Sequence, residues 1–359
     1  MDQKDAFSHF DKIAKSYSKK DKIALIHDLD ADGISAAVIV MHSLEIFRGK
    51  GPDLVVTQRY KTVEILPETI GAISAAGISK VIIVDMASEQ VFDSLKKLES
   101  VVGHVLILDH HKRYTYPSSK GVLILKSQDV SGIDPSRYPA SKLVFDLFSR
   151  LVNLSQFSWI AAIGVLGDNQ LKQWETFVQS VVEEHSVSLH ELKKCMHIIS
   201  AVEVLAPQRL NELLMFIFSL KEPADFLSSE FSNYLNSLES EISSTIEKFN
   251  SQKEFFNDLD LVWFNFFSKN NLKSVVINRI SNDFYPDKTV IVVQDKGDDY
   301  LYISARRQDF KVKVNDLLEA AVKGFDGAGA GGHIPAAAGR IKKQDFTEFK
   351  KRVLEQLKK

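Results

Sequence analysis

The chain has 359 residues, 45% hydrophobic and 26% charged, enough apolar material for two buried cores and unlike collagenous, disulfide-stapled or broadly disordered chains. Its 45 Lys+Arg balance 47 Asp+Glu, so no overall charge draws it to nucleic acid, and any polyanion must be gripped by a local cluster. One cysteine, Cys195, a polar N-terminus without a signal-peptide core, and no run near the roughly 20 apolar residues of a membrane span point to a cytoplasmic chain with no membrane partner.

In chain order, short apolar β-branched runs stand at KIALIHD (22–28), DLVVTQ (53–58), KVIIVDM (80–86), HVLILDH (104–110) and GVLILK (121–126). Between them lie segments with helical spacing, such as ISAAVIVMHSLEIF (34–47) and SEQVFDSLKKLES (88–100). Continuous apolar strands alternating with helices predict a parallel sheet covered on both faces, so residues 1–195 read as an α/β domain. From 196 to 255 the strand signal stops, and RLNELLMFIFSL (209–220) with the long amphipathic stretch after it predicts a helical linker. Strand-like runs resume at LDLVWFNFF (259–267), KTVIVVQD (288–295) and YLYISARR (300–307), followed by the helical VNDLLEAAVKGF (314–325). Residues 256–359 therefore read as a second, smaller α/β unit.

Open α/β sheets bind ligands at the carboxyl ends of their strands, and four acidic or histidine clusters fall at positions read as such ends. They are HDLDADG (His27, Asp28, Asp30, Asp32), VDMAS (Asp85), LDHHKR (Asp109, His110, His111) and GVLGDN (Asp168). A lone Asp after a strand is commonly a helix cap; four such clusters converging on one crevice are not. Carboxylates brought together would repel one another and lose hydration unless divalent cations neutralise them. Mixed carboxylate and imidazole donors suit Mn²⁺, Zn²⁺ or Fe²⁺ better than Ca²⁺. Two such ions sharing a carboxylate would clamp an in-line phosphoryl displacement.

In the second unit, GFDGAGAGGHIPAAAGRI (324–341) contains Gly327, Gly329 and Gly332 in G-x-G-x-x-G spacing. The motif follows a helical segment rather than a strand, which argues against a dinucleotide site. It reads instead as a loop whose glycines let backbone amides approach an anion, with PAAAG (335–339) as the start of a packed helix. Arg306 and Arg307 end a strand upstream, and one of them can face the same anion bidentately.

The motifs DLDADG, VDMAS, LDHHKR and GVLGDN, in that order, resemble the four metal-binding motifs of the DHH phosphoesterase superfamily. SARR and GAGAGGHIPAAAG resemble the DHHA1 substrate-binding domain of its RecJ-type and oligonucleotide-degrading branches. The resemblance spans roughly residues 20 to 345. It implies a five-stranded parallel sheet with helices on both faces, a helical linker and a smaller α/β domain. It also implies two divalent ions, Mn²⁺ foremost with Mg²⁺ possible, on Asp30, Asp32, Asp85, His110 and Asp168, with Asp85 bridging. His27 sits one residue closer to Asp30 than in several branches, so Asp28 or His27 completes the shell, Asp28 being the RecJ-like match.

By the same resemblance His111 faces the scissile phosphate, while Arg306, Gly329, Gly331, Gly332 and His333 grip the substrate. The implied activity is exonucleolytic release of nucleotides from single-stranded DNA or RNA. The alternatives are cleavage of very short oligonucleotides or small nucleotides, such as cyclic dinucleotides and 3′-phosphoadenosine 5′-phosphate, or a replication-fork scaffold that binds GINS.

Overall fold

The computed structural model describes residues 3–58, 62–117 and 119–358, with the side chain of His333 outside the described set. The chain divides into two compact units, residues 1–235 and 236–359, the division falling near the start of the long helix Ser232–Gln252. Among the described residues no helix is long and apolar enough to cross a membrane.

The first unit is built on five parallel strands, β1 (Ile23–His27), β2 (Leu54–Thr57), β3 (Lys80–Val84), β4 (His104–Asp109) and β5 (Val122–Lys126), in the order β2-β1-β3-β4-β5. These are the five apolar runs read from the sequence. Because side chains alternate along a strand, Ile23, Leu25, Ile82, Val84, Leu106 and Leu108 enter one core. Ala24, Ile26, Val81, Ile83, Val105 and Ile107 enter another on the opposite face. Helices cover both, which is why the middle of each strand is a continuous apolar run rather than alternating with polar residues. Strand order reverses between β1 and β3, and a crevice opens at such a switch point beyond the carboxyl ends.

The helix Ala31–Arg48 starts there, capped by Asp30 and ended by Gly49 in the left-handed conformation (φ +68°). It is buried nearly all round, packed between β1 and the helices Ala140–Ser149 and Ser158–Gly167.

The second unit carries a six-stranded sheet. Its strands are β6 (Glu254–Phe256), β7 (Leu261–Phe267), β8 (Thr289–Asp295), β9 (Tyr300–Arg306), β10 (Gly329–His333) and β11 (Ala336–Lys342), ordered β10-β11-β9-β8-β7-β6. The glycine-rich stretch is therefore an edge hairpin rather than a loop, and PAAAG enters a strand rather than a helix. Pairing of β11 with β9 over seven residues, Ala336↔Arg306 to Lys342↔Tyr300, overrides the weak local preference of small residues. At Gly332 φ is +145°, and a Cβ there would lie 2.7 Å from the Ala337 Cα.

Candidate metal centre

At the end of β1 the chain turns through Asp28, Leu29 and Asp30. Asp30 caps the helix Ala31–Arg48, its Oδ1 accepting from the backbone N–H of Asp32 (3.2 Å) and Gly33 (3.1 Å). Asp28 accepts from Leu29 N–H at 2.8 Å. Gly33 packs so tightly on this turn that a Cβ would come within 2.7 Å of the Asp28 carbonyl carbon, so the DADG turn can carry no larger residue there.

Asp32 is buried, and its two oxygens accept from the backbone N–H of Ala140 (2.6 Å) and Ser141 (3.0 Å) at the start of the helix Ala140–Ser149. The positive end of that helix orients a carboxylate 108 positions away.

His27 takes another part. Burial pushes its imidazole down to about 4, so the ring is neutral near pH 7. Nδ1–H donates to the Asp28 carbonyl (2.6 Å), and Nε2 accepts from the Thr57 hydroxyl (3.0 Å). Both ring nitrogens are thus committed, whereas Asp28 is grouped with Asp30 and Asp85.

β3 delivers Asp85, whose backbone is held at φ +58°. That conformation costs a non-glycine residue about 1 kcal/mol. Its N–H is tied to the Leu108 carbonyl at 3.0 Å. The side chain is buried and Oδ1 has no hydrogen-bond partner among the described residues; His110 Nε2 lies 3.4 Å and His111 Nδ1 3.8 Å from it. β4 delivers the histidine pair. His110 Nδ1 donates to the Pro135 carbonyl (3.2 Å), which aims Nε2 between Asp85 and Asp168, 3.4 Å from an oxygen of each. His111 Nδ1 donates to Asp109 Oδ1 (2.8 Å).

Asp109 is itself fully buried, with its second oxygen on Lys126 Nζ, and Lys126 also reaches Glu89 Oε1 (2.6 Å). Asp168 follows the helix Ser158–Gly167, not a strand. The apolar run GVLG belongs to a buried helix, and the carboxylate stands at that helix's negative end.

Asp28, Asp30 and Asp85, then Asp32, His110 and Asp168, then Asp85, His110 and His111 each place one donor atom apiece within 4.8 Å of one another. Asp85 and His110 belong to two groups each. Burial, together with Asp32, Asp30, Asp28 and Asp168, holds the Asp85 carboxyl well above its ordinary range. Burial and Asp32 push Asp168 up to about 7 against the opposing pull of His110. Carboxylates so crowded, one with a buried oxygen that no described residue satisfies, fit a cation. Their mixture with imidazole fits a transition-type divalent ion.

Sequence reading missed three supports of this centre. Lys126 and Glu89 form the buried charge chain behind His111, and Gly164 leaves room for Asp32: a Cβ there would lie 2.7 Å from Asp32 Oδ1 and closer still to Ser141 Oγ. In the second unit, Arg307 is buried and clamped by Asp309 (Nε–Oδ1, 2.6 Å). Arg306 is half-buried, its Nε donating to Asn278 Oδ1 at 3.1 Å. Gly329, Gly331, Gly332 and the backbone of His333 lie along β10, where His333 pairs with Ala336, itself opposite Arg306.

The family model for the DHH N-terminal domain matches residues 22–165, and that for the DHHA1 domain residues 266–359. Among solved structures, the exonuclease RecJ bound to manganese is similar over 100% of this chain and 95% of its own, at 16% identity and TM-score 0.71. The DHH domain of a member of a ribosomal-protein family is similar over 99% of this chain and 89% of its own, at 14% identity and TM-score 0.74. CDC45 from Entamoeba histolytica is similar over 99% of each chain, at 10% identity and TM-score 0.61. At these identities the likeness is one of fold. No curated protein sequence matches the chain significantly.

Proposed function

This chain belongs to the DHH–DHHA1 superfamily of metal-dependent phosphoesterases, and from that premise we propose that it is an exonuclease releasing nucleotides from single-stranded DNA or RNA. One observation carries the reading: a buried Asp85 oxygen, without a hydrogen bond among the described residues, at the centre of a cluster of carboxylates and imidazoles on the carboxyl edge of a parallel sheet. We assign Asp28, Asp30 and Asp85 to one divalent ion and Asp32, Asp85, His110 and Asp168 to a second, Mn²⁺ foremost with Mg²⁺ the alternative. Bound there, the ions neutralise the carboxylates, lower the pKa of water and polarise the phosphoryl oxygens.

The side chains supply orientation. Pro135 fixes the His110 tautomer through its carbonyl and leaves Nε2 as a ligand. Asp109, held by Lys126, accepts from His111 Nδ1–H and orients the ring so that Nε2 is free for the scissile phosphate, where as an imidazolium it would donate Nε2–H to developing charge. Arg306 and the hairpin residues Gly329, Gly331, Gly332 and His333 take the nucleotide phosphate, as their family resemblance implies. The RecJ likeness over almost the whole of both chains supports a nuclease. The CDC45 likeness supports a scaffold reading with a partner such as GINS, against which the full set of ligand-type residues weighs.

The test is digestion of end-labelled single-stranded DNA and RNA, alongside dinucleotides, with Mn²⁺ and with Asp85→Asn as control. A ladder that shortens stepwise in the wild type and is absent in the variant is the expected result. Cleavage of dinucleotides alone moves the chain to the short-oligonucleotide branch, and silence on every substrate sinks the enzyme reading.

A further inference from the structure

Beyond Arg306, one face of the second unit's sheet carries side chains that the chemistry above does not use. Antiparallel register sets them in rows: Val290, Arg306 and Ala336; then Val292, Ser304 and Ala338; then Gln294, Tyr302 and Arg340, with Tyr300 opposite Lys342 beyond. Successive rows on one face stand ~6.7 Å apart. Ile303 and Ala305 between them point to the core on the other side.

In the second row Val292 and Ser304 are fully buried, where the helix Lys273–Arg279 packs on β8 and β9, and only Ala338 on β11 is exposed, leaving a low strip along β11. The Ser304 hydroxyl is buried and has no hydrogen-bond partner among the described residues. Beyond this floor rise two half-buried tyrosines. Lys296 Nζ lies 4.4 Å over the Tyr302 ring and the Arg340 guanidinium 5.3 Å from that of Tyr300. The Tyr302 hydroxyl donates to Asp298 Oδ2 (2.8 Å), which pins the ring.

Charge is distributed unevenly along this face. At the far end Lys342 is paired with Asp326, Lys343 with Asp295, and Asp298 and Asp299 lie in the turn before β9. In the middle, among the described residues, no carboxylate lies within ion-pair distance of Arg340, Lys273 or Arg306. Lys273 starts the helix Lys273–Arg279, its backbone N–H donating to Gln294 of the Tyr302 row (2.9 Å). Burial, with Lys296 and Arg306 nearby, pushes its ammonium down to about 8.

Aromatic rings beside unpaired cations, along a strip whose β11 side is exposed at Ala338 and Arg340, are what a single strand of nucleic acid requires: rings for its bases and positive charge for its phosphates. We propose that this face is a track for the single-stranded substrate, on which Tyr302 and Tyr300 stack bases while Arg340 and Lys296 neutralise phosphates beyond the nucleotide at Arg306. The proposal rests on the reading of the chain as a single-strand nuclease, and it commits that reading to strands longer than a dinucleotide.

The track is tested by fluorescence anisotropy of a 5′-phosphorylated, 3′-labelled oligothymidylate on the full chain in EDTA, where hydrolysis is blocked. Tyr302→Ala should weaken binding about tenfold, the loss of one stacked base, while Tyr302→Phe, which keeps the ring, should stay within about twofold of wild type. Arg340→Ala should weaken binding and lower the slope of log K against log salt by about 0.7, the value for one phosphate contact on a single strand. Wild-type affinity in both Tyr302→Ala and Arg340→Ala overturns the track, as does an equal loss in Tyr302→Ala and Tyr302→Phe together with an unchanged salt slope in Arg340→Ala. The two readings fail separately. Stepwise digestion by wild type with unaltered binding in the variants removes the track alone. Variant-sensitive binding without any Mn²⁺-dependent digestion removes the exonuclease alone.

Discussion

Gly164 shows how a residue with no chemistry of its own shapes the centre. A methyl group there would press on Asp32 Oδ1 and Ser141 Oγ inside a packed core, so Gly164→Ala is expected to destabilise the protein by about 1–3 kcal/mol and to weaken Mn²⁺ binding by displacing Asp32. Urea denaturation with a parallel Mn²⁺ titration checks both effects, and an unshifted midpoint with unchanged affinity would remove Gly164 from the account. His42 makes a different kind of contribution. Its ring stacks on Phe157 (centroids 3.6 Å apart) and beside Phe218, with Nε2 buried and without a hydrogen bond among the described residues, and burial pushes it down to about 4.

A folded-state value below the unfolded one means that this stability is complete above about pH 6.5 and is lost as pH falls toward about 4. Between about pH 7 and about pH 5 the wild type should lose up to about 2 kcal/mol through this ring, and His42→Phe should flatten that part of the curve. Identical acid limbs in the two proteins would contradict it. The aspartates and histidines of the centre were legible because ligand-type residues cluster after apolar runs. Gly164, Ser141 and Lys126 were not, since they are ordinary residue types whose partners stand far away in sequence.

Among the elements, the pairing of β4 with β5 is held at its carboxyl end by charge. Asp109 lies opposite Lys126 in the register, and Lys126 bridges Asp109 and Glu89, all three fully buried side chains. Lys126→Met would leave two buried carboxylates facing each other, with an expected cost of about 3–5 kcal/mol, read as a lowered urea midpoint together with loss of the Asp109 support for His111. A midpoint like that of the wild type would show that the chain of charges does not hold the strand pair.

The five strands of the first sheet were readable because buried parallel strands are apolar throughout. The segment before Asp168 was misread for the same reason: a short apolar run looks alike in a buried strand and a buried helix. The glycine-rich hairpin escaped because glycine and alanine carry little strand preference, and its extended form comes from pairing with β9, a contact that sequence patterning does not reveal.

At the scale of the molecule, two units with separate cores divide the work the sequence implied. The first supplies the crowded carboxylates at a strand-order reversal, and the second an edge hairpin and a sheet face carrying aromatic rings and cations. Net charge near zero is consistent with this, because cations on the second unit's sheet face are offset by the acids that fill the centre.

The central claim is that the acidic cluster is a two-ion centre organised around Asp85. Counting Mn²⁺ bound per chain by equilibrium dialysis, in wild type and in Asp85→Asn, tests it most directly. The account predicts two ions on the wild type and a marked loss of both occupancy and affinity in the variant, which remains folded. A wild type that binds no Mn²⁺, or a variant that binds as well as the wild type, would contradict it.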